Sequence, residues 1–122
     1  MKALILDDSR ATRAILKRIL KPLSVECVEA ADGYQGLERL KEHADIDIVL
    51  VDWNMPNMDG LQFVQAVRQD SSNDGVMLMM VTTESEIQRV AHAMDAGANE
   101  YIVKPFTGDI IAQKLRILGL DI

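Results

Sequence analysis

The sequence predicts a doubly wound α/β fold built on a five-stranded parallel sheet, and two observations carry that expectation. Short apolar runs of strand length alternate with stretches of helical period from one end of the chain to the other. Two of those runs, Ile48-Val49-Leu50-Val51 and Val76-Met77-Leu78-Met79-Met80-Val81, are apolar without alternation, as a strand covered on both faces must be. Alternating βα units of this length connect by right-handed crossovers and place helices on both sides of a parallel sheet.

The expected strands are Lys2–Asp7, Ser24–Ala30, Ile46–Asp52, Val76–Thr82 and Asn99–Val103. Helices are expected over Ser9–Leu20, Tyr34–His43, Gly60–Gln69, Ser85–Ala96 and Thr107–Leu118. In the first helix, Ile15, Leu16, Ile19 and Leu20 form an apolar stripe, with Arg13, Lys17, Arg18 and Lys21 mostly around the other side. In the fourth, Ile87, Val90, Ala91 and Met94 repeat the pattern. Turn residues at Asp32-Gly33, Asp59-Gly60, Ser71–Gly75 and Ala96-Gly97 fall where elements should start or stop.

A chain of 122 residues is one domain's worth, so residues 1–122 are read as a single unit. Apolar residues at 48% and charged residues at 26% exclude a mainly disordered chain. The formal charge of −6 and the lack of a basic stripe argue against nucleic acid or anionic lipid as a partner. No stretch approaches the roughly 20 apolar residues of a membrane span, and the first apolar run is too short for a signal peptide. The lone Cys27 reads as a small buried hydrophobe suited to a reducing cytosol, and a cytoplasmic monomer is expected. His43 and His92 stand apart without ligand spacing, and Met77, Met79 and Met80 read as core rather than as a copper site.

Polar residues recur at the carboxyl ends of the expected strands: Asp7-Asp8 after the first, Asp52 closing the third, Thr82 closing the fourth and Lys104 following the fifth. In an open parallel sheet those ends form one edge, where ligands bind at the point at which strand order reverses. The order 2-1-3-4-5, adopted from known flavodoxin-like folds, makes strands one and three neighbours and brings Asp7, Asp8 and Asp52 together. Crowded carboxylates raise one another's pKa unless a cation compensates, and a hard divalent ion such as Mg²⁺, which keeps waters and uses few carboxylates, suits the set. An aspartate can attack phosphorus to form an acyl phosphate, a reaction catalysed mostly by positioning and charge neutralisation. Lys104 and the Thr82 hydroxyl are candidate partners for two phosphoryl oxygens, with Mg²⁺ on the third.

The segment Asp52-Trp53-Asn54-Met55-Pro56-Asn57-Met58-Asp59-Gly60-Leu61, with the acidic pair Asp7-Asp8 and Val103-Lys104-Pro105-Phe106-Thr107, resembles the response regulator receiver domains, in particular the single-domain chemotaxis regulators. The resemblance covers essentially the whole chain. It implies a phosphoacceptor signalling switch rather than an enzyme acting on a free substrate, with Asp52 taking phosphoryl from a histidine kinase. It further implies that Asp8 binds Mg²⁺ directly, that Asp7 acts through water, and that Asp52 and the Asn54 carbonyl complete the ligands. Thr82 and Tyr101 match the family's switch pair, Asn54 and Glu84 match positions that tune hydrolysis, and Lys104-Pro105 matches a bond that is cis in the family. The implied partner surface is the fourth helix, fifth strand and fifth helix around Tyr101, facing a flagellar motor component if the chemotaxis likeness carries through.

Other readings stand beside this one. Asp7-Asp8-Ser9 can cap the first helix, and Thr83 with Glu86, or Ser85 with Gln88, fits a capping box that starts the fourth. Asp52 can be a turn residue before Pro56, and Lys104 a solvated lysine. Within the family a phosphorelay intermediate, or the receiver part of a larger regulator with a DNA-binding output domain, is the alternative. A phosphatase of the haloacid dehalogenase type would place its nucleophile in a D-x-D motif after the first strand, whereas Asn54 stands at the second acid's position here. A nucleotide-binding module lacks its G-x-G-x-x-G or P-loop lysine.

Overall fold

The computed structural model describes residues 1–122. Its elements run β1 Lys2–Leu6, α1 Arg10–Leu20, β2 Glu26–Ala30, α2 Gly33–Glu42, β3 Ile48–Asp52, α3 Gly60–Gln69, β4 Met77–Thr83, α4 Val90–Ala96, β5 Glu100–Lys104 and α5 Gly108–Ile117. A 3₁₀ helix, Glu84–Arg89, stands between β4 and α4. The strands form one sheet in the order β2-β1-β3-β4-β5, and every pairing is parallel. This is the doubly wound α/β architecture expected from the sequence.

The unbroken apolar runs are explained by two cores, one on each face of the sheet. Leu4, Leu6, Val49, Val51, Leu78 and Met80 point to one side, where Phe63, Val64 and Val67 of α3 and Leu40 of α2 meet them. Ala3, Ile5, Ile48, Leu50, Met79 and Val81 point to the other, against Leu16 and Leu20 of α1 and Ile111 and Leu115 of α5. Successive strand residues therefore alternate between two buried layers instead of between core and water. Each large aliphatic side chain so buried contributes roughly 1.5–3 kcal/mol. Met79 and Met80 are fully buried and Met77 packs against the second core, in keeping with a packing role.

Helix starts follow local chemistry. Ser9 caps α1 through Thr12 N–H, Asp32 caps α2, Thr107 caps α5, and Asp59 with Gln62 forms a complete capping box on α3. Gly60 opens α3 directly against the end of β3: a Cβ there would lie 2.7 Å from the Asp52 carbonyl oxygen. That close approach is what lets the chain turn into α3 immediately beside Asp52.

Two expectations need correction. The fourth helix does not begin at Ser85: residues 84–89 are 3₁₀, and α4 proper is only Val90–Ala96. The Thr83/Glu86 box does not form, because Thr83 makes no side-chain cap bond and the Glu86 carboxylate is engaged by Asn54 and Thr83 side chains instead; Ser85 Oγ, of the other box, lies 3.0 Å from Thr83 Oγ1. Cys27 is half-buried rather than buried, because β2 is an edge strand with β1 as its only neighbour.

Candidate functional site

Strand order decides which side chains meet. Because β1 and β3 are adjacent, with Leu6 opposite Val51, the residues that leave them at the carboxyl edge converge. Asp7, Asp8 and Asp52 each place a carboxylate oxygen within 4.8 Å of the others'. Asp7 is 3% exposed, and its Oδ1 accepts the Ser9 N–H at 2.8 Å. Its backbone carbonyl accepts from Arg13 Nη1 at 2.7 Å. Asp8 is exposed, and Asp52 is half-buried between them and the rest of the edge. The capping expectation for this segment also holds, in that Ser9 is the N-cap and Asp7 braces it.

Lys104, at the end of β5, reaches across with Nζ 3.6 Å from Asp52 Oδ1. One lysine does not offset this much acid. Burial, then the charge of Asp7, pushes the Asp52 carboxyl up to about 6 despite Lys104. Asp7 is likewise raised, by burial first, with the Ser9 amide bond working the other way. The donor set consists of hard carboxylate oxygens from two segments, with a charge deficit that a cation would fill. It fits a small divalent ion such as Mg²⁺.

Thr82 lies beside this cluster because Asp52 pairs with Val81 across β3 and β4, one residue before it. Its side chain is 1% exposed, and Oγ1 donates to the Thr83 carbonyl at 3.3 Å, the long end of hydrogen-bond geometry. Tyr101 is half-buried on β5, with Lys114 Nζ 5.1 Å from its ring centroid. The Lys104–Pro105 peptide is cis. Trp53, next to Asp52, is 4% exposed and carries the Arg89 guanidinium 5.9 Å from its ring centroid. Neither histidine joins the cluster: His92 is exposed on α4, and His43 Nδ1 lies 3.5 Å from Lys2 Nζ, at the start of β1.

The structure thus brings together Asp7, Asp8, Asp52 and Lys104, with Thr82 alongside. Glu84 is exposed, and the acid that meets Asn54 is Glu86, whose Oε2 accepts from Asn54 Nδ2 at 2.8 Å. Sequence reasoning assigned Glu86 only to a helix cap. Its signal was the Thr83-x-x-Glu86 spacing, which serves a side-chain bond to the Thr hydroxyl as readily as a backbone cap.

Comparison with known proteins agrees with this geometry. Residues 3–116 match the family described as the response regulator receiver domain. The chain is 43% identical over 119 residues to chemotaxis protein CheY1 of Helicobacter pylori, covering 97% of this chain and 96% of that protein. It is 40% identical over 121 residues to a chemotaxis protein CheY homolog of Campylobacter jejuni, covering 98% and 93% respectively. Among solved structures, chemotaxis protein CheY4 of Vibrio cholerae superposes with a TM-score of 0.86 at 33% identity, over 95% of this chain and 96% of that one. With sheet order, acidic edge and sequence in agreement, this chain belongs to the response regulator receiver domain family.

Proposed function

We propose that the chain is a stand-alone response regulator in which Asp52 accepts a phosphoryl group from a histidine kinase, and that residues 1–122 form its one receiver domain. The observation that carries the reading is the meeting of Asp7, Asp8 and Asp52 within 4.8 Å, with Lys104 3.6 Å from Asp52. The two chemotaxis relatives are covered over 96% and 93% of their own lengths, which supports a regulator of one domain.

In the proposed reaction an Asp52 carboxylate oxygen attacks the phosphorus of a phosphohistidine. The new O–P bond forms as the N–P bond breaks, and the electron pair leaves on the imidazole. Asp8 and Asp52, with Asp7 through water and the Asn54 carbonyl, would hold Mg²⁺. When bound, Mg²⁺ supplies neutralisation of phosphoryl and carboxylate charge. Lys104 takes a second phosphoryl oxygen, and the Thr82 hydroxyl exchanges its long bond to the Thr83 carbonyl for a third. Tyr101 follows inward as its switch partner, and hydrolysis by water returns the carboxylate and releases inorganic phosphate. The chain is in this sense a self-modifying switch and not an enzyme with a separate substrate.

The output surface in this reading is α4, β5 and α5 around Tyr101, where Ile87, Met94 and Ile110 are exposed apolar side chains on these elements or the 3₁₀ helix before α4. The relatives' names support a role in chemotaxis, and the partner read from the family resemblance is a flagellar motor component. A cytoplasmic monomer fits this role, and no helix is long and apolar enough to cross a membrane.

The test is intact-mass detection of the adduct with acetyl phosphate and Mg²⁺, with Trp53 fluorescence followed in parallel. One added phosphoryl, dependent on Mg²⁺, absent in Asp52→Asn and decaying within minutes, is expected. No adduct with any donor would make the chain a binding module without phosphotransfer. A long-lived adduct handed on to a histidine phosphotransfer domain would make it a relay intermediate.

A further inference from the structure

Both carboxylate oxygens of Glu86 are engaged by side chains from the segments that follow Asp52 and Thr82. Oε2 accepts from Asn54 Nδ2 at 2.8 Å, and Oε1 accepts from Thr83 Oγ1 at 2.7 Å. Thr83 Oγ1 is also 3.0 Å from Ser85 Oγ. One half-buried acid therefore ties the loop after β3, which follows Asp52, to the segment after β4, which follows Thr82. Hydrogen bonds to an ionised acceptor are roughly twice as strong as neutral ones.

The segment that Glu86 holds has no side-chain cap at its start, and its other side-chain anchor is Arg89, whose guanidinium stands 5.9 Å from the Trp53 ring centroid. Residues 84–89 form a six-residue 3₁₀ helix, longer than the three or four residues usual for that geometry. Neither Thr83 before it nor Arg89 before α4 makes a side-chain cap. Thr82, immediately upstream, is parked on its 3.3 Å bond to the Thr83 carbonyl. A short, uncapped segment held by Glu86 near its start and by the Arg89 guanidinium over the Trp53 ring at its end has the makings of a two-state element.

We propose that Glu86 is the resting-state latch of the switch, a positioning residue that holds Asn54 and the Thr82–Arg89 segment in place and must let go when Asp52 is phosphorylated. The inference rests on the phosphotransfer reading above. A phosphoryl group on Asp52 adds roughly one unit of negative charge beside Asn54. It repels the Glu86 carboxylate and competes for the Asn54 amide, while drawing Thr82 out of its parked position. Coupling of this kind is reciprocal, so a weakened latch favours phosphorylation as much as phosphorylation weakens the latch. Glu84, exposed to solvent, has no comparable grip.

The experiment compares the parent with Glu86→Ala, Glu86→Gln, Thr83→Val and the Glu86→Ala/Thr83→Val double variant. Phosphorylation by acetyl phosphate with Mg²⁺ is followed by intact mass, and amide hydrogen exchange of residues 83–89 is measured in the unphosphorylated proteins. Glu86→Ala raises the population of the released, phosphorylation-competent conformer, and is expected to raise the phosphorylation rate about threefold to tenfold and to speed exchange over 83–89. Thr83→Val moves both in the same direction by less, and the double variant does no more than Glu86→Ala alone, because both act on one latch. Glu86→Gln, which keeps an acceptor for Asn54 but not the charge, falls between. A Glu86→Ala protein phosphorylated at the parental rate, whatever its stability, overturns the proposal and leaves Glu86 as a turn-stabilising residue. A parent that takes no phosphoryl group brings down the functional reading and the latch with it, a result distinct from parental rates in the variant.

Discussion

The two edges of the sheet use the same residue types to opposite ends. At the start of the strands, Lys2 Nζ lies 3.0 Å from Asp45 and 3.8 Å from Glu26, and its backbone N–H donates to Asp47 at 2.9 Å. The acids there are mostly exposed, and the hydrogen bond from Lys2 lowers the pKa of Asp45. At the carboxyl edge Asp7, Asp8 and Asp52 crowd together, partly buried, with Lys104 as the cation in reach of Asp52. There burial dominates and the Asp52 carboxyl rises to about 6. The edge at the strand starts satisfies its charges, whereas the edge proposed to carry phosphotransfer leaves its acids in excess of the one lysine in reach.

The sharpest way to separate the edges is to neutralise an acid at each. Asp52→Asn is expected to abolish the phosphoryl adduct, a loss of at least about a hundredfold by intact mass. The same substitution should stabilise the fold by about 1–3 kcal/mol near pH 7 in a metal-free buffer, read from urea unfolding, because it removes a carboxylate whose ionisation the folded state resists. The sign follows from the raised pKa. The folded protein holds the proton more tightly, so the stability Asp52 contributes is fully present below its ordinary value of 3.8 and is lost as pH rises through about 6. The advantage of Asp52→Asn should therefore be small at pH 4 and grow to its full size above pH 6.

Mg²⁺ at ten times its dissociation constant should raise the parent's stability by about 1.4 kcal/mol. Asp8→Asn should lose most of that gain at the same concentration. Lys104→Arg is expected to keep phosphorylation within about threefold of the parent while blunting the accompanying change in hydrogen exchange around Tyr101. The guanidinium keeps the charge but not the compact ammonium's fit. At the opposite edge Asp45→Asn should leave the urea midpoint and the phosphorylation rate unmoved, since its ion pair with Lys2 is solvent-screened. A large effect there would mean that the two edges are not the separate environments described.

Much of this was legible in the chain. The runs Ile48–Val51 and Val76–Val81 announced doubly covered strands, and the polar residues ending each strand pointed to one edge. Asp7, Asp8, Asp52 and Lys104 meet as expected. The misreading lies between β4 and α4, where Thr83-x-x-Glu86 looked like a capping box. A pattern of that kind is local, and it cannot show that Asn54, 32 residues away, competes for the acid. Arg68 was silent for the same reason: it donates to the carbonyls of Asn73, Val76 and Gly97 and to Asn99 Oδ1, tying α3 to the ends of its neighbours through partners that no spacing rule names.

By itself the sequence determined the five strands and the helices that alternate with them, since apolar periodicity and turn residues act over a few positions. It also determined which carboxylates stood at strand ends, because strand length sets where each run stops. Tertiary structure decided the rest. The placement of β1 between β2 and β3 sets the 4.8 Å spread of the three carboxylates, and with it the raised Asp52. Where a helical turn was expected, residues 84–89 are 3₁₀, and Asn54 reaches Glu86 within it from the other side of the site. Both outcomes depend on distances between residues far apart in the chain, and the folded packing alone specifies those distances.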